Sequence, residues 1–283
     1  MTELKNTFKT DILFKLLFSK HQKLLQHLVA HLLSIPLESI SDFILENPEM
    51  PPEIIGNKFC RLDIHMTVNG QKVNLEVQVR DEGDFPERAL FYWARIYSSA
   101  LPAKGEYINL PRTIVISILN FPLFKQYPEF HSEFQALEVK RHYQLTDKMV
   151  LHFFELPKLP GQIDRDNMML LWLALFKANT EEELKWIDGL GVTELSEAVN
   201  AYHSVTASKE FLEIERLRIK ASHDEAQALY NVRRKERKKW QVIIAEKDAA
   251  LSEIDAMLSE RDAALSEKDA IIAELRKQID GRS

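Results

Sequence analysis

Asn69-Gly70 separates two runs in which apolar and polar residues alternate, and that arrangement leaves the chain little freedom at this point. Asn-Gly tolerates the left-handed backbone that a two-residue hairpin turn requires, which makes it the strongest short hairpin signal. On the first arm Leu62, Ile64, Met66 and Val68 share one face; on the second Val73, Leu75, Val77 and Val79 do. A two-residue turn pairs Val68 with Gln71, so Met66 meets Val73, Ile64 meets Leu75 and Asp63 meets Glu76. A slip of one residue would turn every apolar side chain to the other face, so the pattern and the turn agree on one register. Gln78 shares the polar face with Glu76, diagonally across from Asp63.

Opposed residues in such a ladder have Cβ atoms about 4.5–5.5 Å apart, and two carboxylates there repel unless a cation or a proton lies between them. A hard divalent ion such as Mg²⁺ takes one or two carboxylates, several waters and substrate phosphate oxygens. The same pattern also suits a solvated face on which Asp63 and Glu76 merely point into water. The hairpin alone leaves both readings open.

The elements around the hairpin follow from periodicity. Residues 8–35 carry a broad apolar stripe of Leu13, Phe14, Leu17, Phe18, Leu24, Leu25, Leu28 and Leu32, which predicts one helix. Pro48, Pro51 and Pro52 predict a loop, and residues 59–68 and 71–79 are the hairpin strands. Residues 86–101 are expected to be helical, with Pro86 at the start and Pro102 beyond the end. The run Thr-Ile-Val-Ile-Ser-Ile-Leu at 113–119 is apolar and β-branched throughout, as a buried strand is. Residues 139–145 and 149–156 suggest a second strand pair, and helices are expected at 166–177, at 181–187 and from 193 onward.

Beyond residue 205 the chain changes character. From Thr206 to Asp280 there is neither Gly nor Pro, as in a long helix. From Glu246 a seven-residue period sets in: Leu251, Leu258, Leu265, Ile272 and Ile279 fit one heptad core position. The other holds Ile254, Arg261, Lys268 and Leu275, so half of that seam is charged. Ala250, Met257, Ala264 and Ile271 widen the stripe instead. A weak coiled coil that pairs two chains is expected; the alternative is a single helix folded back on the body.

The net charge of −6 falls entirely on the first 205 residues, because residues 206–283 carry 16 basic and 16 acidic side chains. Within that balanced tail Arg233, Arg234, Lys235, Arg237, Lys238 and Lys239 form a dense basic run, suited to phosphates or to a solvated helix face. A single cysteine, Cys60, excludes an internal disulfide, and beside the hairpin it suits a small buried hydrophobe better than a nucleophile. No signal peptide is expected from the N-terminal residues, and apolar runs such as 168–176 fall short of the roughly 18 residues of a membrane span. A cytoplasmic protein is the expectation. His27 and His31 stand four apart on one helix but lack the Glu of a zinc-protease signature, and no phosphate-loop, dinucleotide or nucleophile-elbow string occurs.

Four segments in order resemble a known family: Asp11-Ile12-Leu13-Phe14-Lys15-Leu16-Leu17-Phe18, Arg61-Leu62-Asp63-Ile64, Glu76-Val77-Gln78 and Glu87-Arg88-Ala89-Leu90-Phe91-Tyr92. They are similar to the PD-(D/E)XK nucleases, and within these to the recombination-promoting nucleases, the PD-(D/E)XK family transposases, over roughly residues 5–160. The resemblance implies an α/β (α+β) restriction-endonuclease-like core, a mixed central sheet flanked by helices. The expected division is a nuclease-like domain at 1–160, a helical extension at 161–205 and a long helix with coiled coil at 206–283. Gln78 stands where the general motif has Lys, although the transposase branch carries Gln there, and no Pro precedes Asp63.

The activity implied is metal-dependent endonucleolytic hydrolysis of DNA, in recombination, mobile-element or defence biology of a bacterial cytoplasm. By resemblance Asp63 and Glu76 would ligate Mg²⁺ (or Mn²⁺), with the Val77 carbonyl as a third ligand, and Gln78 would orient the attacking water. Asp11 would be a further acidic ligand or a support for one; the competing role is a helix N-cap. Lys15, Arg61 or Arg88 would supply the positive charge that Gln78 lacks. Arg88 and Tyr92, four apart on a helix, would face the DNA backbone or pack against the sheet. The rival expectation is a non-catalytic protein that keeps the nuclease fold, oligomerises through the heptads and binds nucleic acid or a partner.

Overall fold

In a computed structural model, which describes residues 2–46 and 64–280, the hairpin forms in the expected register. Strand β2 (Ile64–Val68) pairs antiparallel with β3 (Gln71–Gln78), matching Ile64 with Leu75, Met66 with Val73 and Val68 with Gln71. Asn69 and Gly70 both take positive φ, 49° and 72°. Asn69 also anchors what precedes it: its Oδ1 accepts from the backbone N–H of Ser41 (2.9 Å) and Asp42 (3.2 Å), and its Nδ2 donates to the Ser39 carbonyl (2.8 Å). Asn69→Ala would lose both the backbone tolerance and these bonds, and is expected to cost about 1–2 kcal/mol in urea unfolding. Asn69→Gly, which keeps the turn, should recover part of that loss. Residues 47–63, among them Pro48, Pro51, Pro52, Cys60, Arg61 and Asp63, lie outside the described residues.

The hairpin supplies the second and third strands of a six-stranded mixed sheet of order β1-β2-β3-β4-β6-β5. β1 (Phe43–Leu45) and β2 are antiparallel, as are β5 (His131–Gln135) and β6 (Met149–Glu155). β3 runs parallel to β4 (Thr113–Leu119), and β4 parallel to β6. A parallel β3–β4 neighbour requires a crossover, which α3 (Phe85–Ser99) supplies, with Pro86 in its first turn as expected. All seven residues of β4 are buried, as a strand covered on both faces must be.

One face of the sheet carries Ile64, Met66, Val73, Leu75, Ile114, Ile116 and Ile118. It shares a single core with α1 (Asp11–Lys20), α2 (Gln22–Leu32), α4 (Met168–Lys177), α5 (Glu181–Asp188) and α6 (Thr193–Thr206). The other face is covered by α3, where Phe85 and Ala89 pack on Val115, Leu119, Leu151 and Phe153. The chain divides into two units, 1–218 and 219–283, and helix α7 (Lys209–Asp280) is 72 residues long, as the Gly- and Pro-free composition predicts. No helix among the described residues is long and apolar enough to cross a membrane.

Two expectations need correction. The helix expected over 8–35 is two, broken at His21, whose φ of −116° and ψ of 63° lie outside the helical region. The polar run Ser19-Lys20-His21-Gln22-Lys23 has no apolar residue to bury, and the break lets the stripes of both helices reach one core. The second strand pair is also different. β6 pairs with His131–Gln135, while residues 136–145 double back on themselves through a Leu137–Gln144 bridge and leave Val139 and Leu145 exposed.

Candidate active site

Strand parity decides what β3 presents. Odd positions Val73, Leu75 and Val77 enter the apolar core, so Asn74, Glu76 and Gln78 face the α3 side. That face is not a solvated surface: Asn74 is fully buried and Glu76 is 3% exposed. The amide Nδ2 of Asn74 donates to Glu76 Oε1 at 2.8 Å. Beside Glu76 in the parallel ladder sits Ser117, fully buried on β4. A carboxylate taken out of water in this way must be compensated by charge or by hydrogen bonds.

Helix α3 brings the compensating charge. Arg88 lies in its first turn, and its guanidinium reaches Gln78 Oε1 (3.5 Å) and Glu82 Oε2 (3.3 Å) while standing 5.6 Å from the Phe85 ring centroid. Burial alone would weaken the charged form of Arg88. The Tyr92 hydroxyl that it bonds, and the negative charges of Glu76 and Asp84, outweigh burial and raise its pKa above the ordinary value. Tyr92, one turn later and 7% exposed, is thereby part of the cluster. Gln78 is fixed at both ends of its amide, since its Nε2 donates to the Arg80 carbonyl at 3.2 Å.

Of the residues expected at the site, Glu76, Gln78, Arg88 and Tyr92 come together, with Val77 between the first two. Asp63 and Arg61 fall outside the described residues, so the opposition of Asp63 and Glu76 has no coordinates to set beside it. Asp11 opens α1 and pairs with Lys15 at 3.2 Å, in the helical layer that shares the core of the other sheet face. The basic run Arg233, Arg234, Lys235, Arg237, Lys238 and Lys239 lies on α7 with every side chain exposed. Leu251, Leu258, Leu265 and Ile272 of the heptads are exposed as well. His27 stands 3.7 Å from Glu194 of α6, so its pair with His31 is a helix-packing feature.

Asn74 and Ser117 belong to the cluster and had no place in the sequence reading. Asn74 was legible in principle, two residues before Glu76 on the same strand face. Ser117 was not, because the β3–β4 register depends on tertiary packing. Among the described residues, Asn74 Oδ1 and Ser117 Oγ are buried without a hydrogen-bond partner. With the Glu76 carboxylate these are oxygens, the donor type that Mg²⁺ and Mn²⁺ select, although no three His, Cys, Asp or Glu side chains among the described residues stand together to hold a metal ion.

The chain matches the family model described as PD-(D/E)XK nuclease family transposase over residues 8–231. No curated protein and no solved structure gives a significant match.

Proposed function

The chain belongs to the PD-(D/E)XK nuclease family transposases, and on that premise we propose that it is a metal-dependent endonuclease that hydrolyses phosphodiester bonds in DNA. The observation that carries the proposal is Glu76, a buried carboxylate braced by Asn74 and set in the field of Arg88. A carboxylate with only a structural task could be replaced by an apolar side chain at lower desolvation cost, so its burial here argues for a ligand or reaction role.

Glu76 and Asp63 would hold Mg²⁺ or Mn²⁺, with the Val77 carbonyl as a third ligand and Asp11 as a more distant acidic group. When bound, such an ion polarises a phosphodiester and lowers the pKa of water. The remaining work falls to the protein. Asn74 holds the Glu76 carboxylate in one orientation. Gln78, with its amide oxygen toward Arg88, is suited to orient the attacking water. Arg88 supplies the positive charge that a lysine at position 78 would bring, a fixed charge near the phosphate as negative charge develops.

Arg88→Ala should therefore lower the cleavage rate about 10–100-fold without unfolding the chain, and Arg88→Lys should restore part of it. An unchanged rate in Arg88→Ala would shift the charge to Lys15 or Arg61. Tyr92 and the basic run at 233–239 would contribute DNA contacts beyond the reacting phosphate.

The exposed heptads support pairing of two chains through α7, which would bring two catalytic bodies to one duplex. Light scattering is expected to give a dimer for the full chain and a monomer for a chain ended at Ala245. A monomeric full chain would contradict this. The charged positions Arg261 and Lys268 predict a weak, concentration-dependent dimer.

Gln78 in place of Lys is the feature that favours the non-catalytic reading. The test is DNA cleavage beside DNA binding for wild type and Asp63→Ala. Metal-dependent cleavage that the substitution removes supports the nuclease; binding without cleavage in both supports the interaction protein.

A further inference from the structure

β3 carries Glu76 and Gln78 toward one end. Near its other end, on the opposite face of the sheet, lies a cavity of about 150 Å³. Ile35, from the segment after α2, and Ile114 of β4 form apolar walls. The polar walls are Arg112, immediately before β4, His152 of β6, Glu133 of β5 and Gln71 at the turn. The face is otherwise apolar, so this polar lining needs an explanation.

Arg112 is the informative group. Among the described residues its guanidinium forms no ion pair, and its Nε is buried without a hydrogen-bond partner. Glu133, the one acid on the wall, accepts at Oε1 from Gln135 and forms no ion pair with Arg112 among the described residues. Arg112 is half-buried, and a donor such as its Nε, held out of contact with solvent without a partner, is costly unless an anion or a water reaches it. His152 adds a second polar group. It is 7% exposed, and its Nδ1 lies 3.0 Å from His131 Nε2. Burial first, against the pull of Glu133 and with help from His131 and Arg112, lowers its pKa to about 4 and keeps it neutral near pH 7. In the tautomer in which Nδ1 accepts from His131, His152 carries its proton on Nε2 and is a hydrogen-bond donor.

We propose that this cavity binds a small oxyanion, a phosphate-sized phosphoryl or carboxylate group, gripped by the Arg112 fork with His152 and Gln71 as neutral donors. The volume admits such an ion with a few waters and is too small for a nucleic-acid strand. The site is separate from the Glu76 cluster and stands whether or not the chain cuts DNA. An occupant would tie the segment after α2, the β2–β3 turn and the start of β4 together, bracing the strand that carries Glu76.

The test is calorimetric titration of the full chain with inorganic phosphate, and separately with acetate, at an ionic strength held constant with NaCl. Saturable binding of one equivalent is expected, weakened about tenfold or more in Arg112→Gln and less in Arg112→Lys, which keeps the charge without the fork. Binding of both anions supports a general oxyanion site, and binding of one alone assigns it to a phosphoryl or to a carboxylate source. No saturable binding of either anion, or binding unchanged in Arg112→Gln, would overturn the proposal. If Arg112→Gln does not fold, ¹⁵N spectra of the wild type decide. The arginine Nε–H signal missing from the Arg112→Lys spectrum must move on adding the bound anion, and a fixed signal would overturn the site.

Discussion

Glu76→Gln is expected to fold like the wild-type chain and to lose about three orders of magnitude in metal-dependent DNA cleavage, near 4 kcal/mol of transition-state stabilisation. The substitution is chosen for what it leaves intact. Glutamine keeps the shape and the Oε1 acceptor, so Asn74 Nδ2 retains its partner at 2.8 Å and the strand its packing. What disappears is the charge. Without it a divalent ion loses its one described carboxylate on β3, and Arg88 loses one of the two acidic groups that raise its pKa. Cleavage rate and urea midpoint, measured together, separate the two effects. A variant that unfolds at the wild-type midpoint and cuts within tenfold of the wild-type rate would remove Glu76 from the reaction.

Phe176→Ala should cost about 3–5 kcal/mol, the range for deleting a large aromatic side chain that the surroundings cannot refill. Phe176 is fully buried near the end of α4, with ring centroids 6.0 Å from Phe8 and Phe14 and 6.1 Å from Phe18. Its carbonyl also accepts from the buried Lys9 Nζ at 2.8 Å, which ties the N-terminal segment to the last turn of α4. The site lies on the other face of the sheet, yet the loss should be global and cooperative, because α4 and the strands share one core. Equilibrium unfolding by circular dichroism is the check. A cost below about 1 kcal/mol would mean that the helices after residue 160 are an appendage. In the structure α4, α5 and α6 share one core with the sheet, and the family match likewise runs on to residue 231.

Much of the fold was legible because local and tertiary demands coincide. At Asn69-Gly70 turn chemistry and side-chain alternation name the same register, so β2 and β3 could be paired residue by residue. The apolar run at 113–119 has the same bounds in the structure as in the sequence. The break at His21 was not legible as a stop, since neither Gly nor Pro marks it, although five polar residues in a row do. β5 was missed because His-Ser-Glu-Phe-Gln has almost no apolar alternation, while the more apolar residues 139–145 imitate a strand. An edge strand with one neighbour needs little hydrophobic pattern, and its backbone bonds to β6 hold it in place.

The candidate site was half legible. Glu76 and Gln78 follow from parity, and Arg88 from the helix after the hairpin. The burial of the polar face was not, because alternation predicts which side chains share a face and is silent on what covers it. Helix α3 covers it, and that turns a carboxylate that could have been solvated into one held by Asn74 in the field of Arg88.

The most direct test of the central claim is nicking and linearisation of supercoiled plasmid by the purified full chain in Mg²⁺, in EDTA, and by Asp63→Ala in Mg²⁺. Cleavage by the wild type in Mg²⁺, abolished by EDTA and by the substitution, is the predicted result. Cleavage that persists in Asp63→Ala, or no cleavage by the wild type in Mg²⁺ or Mn²⁺, would contradict a metal-dependent nuclease built on this hairpin.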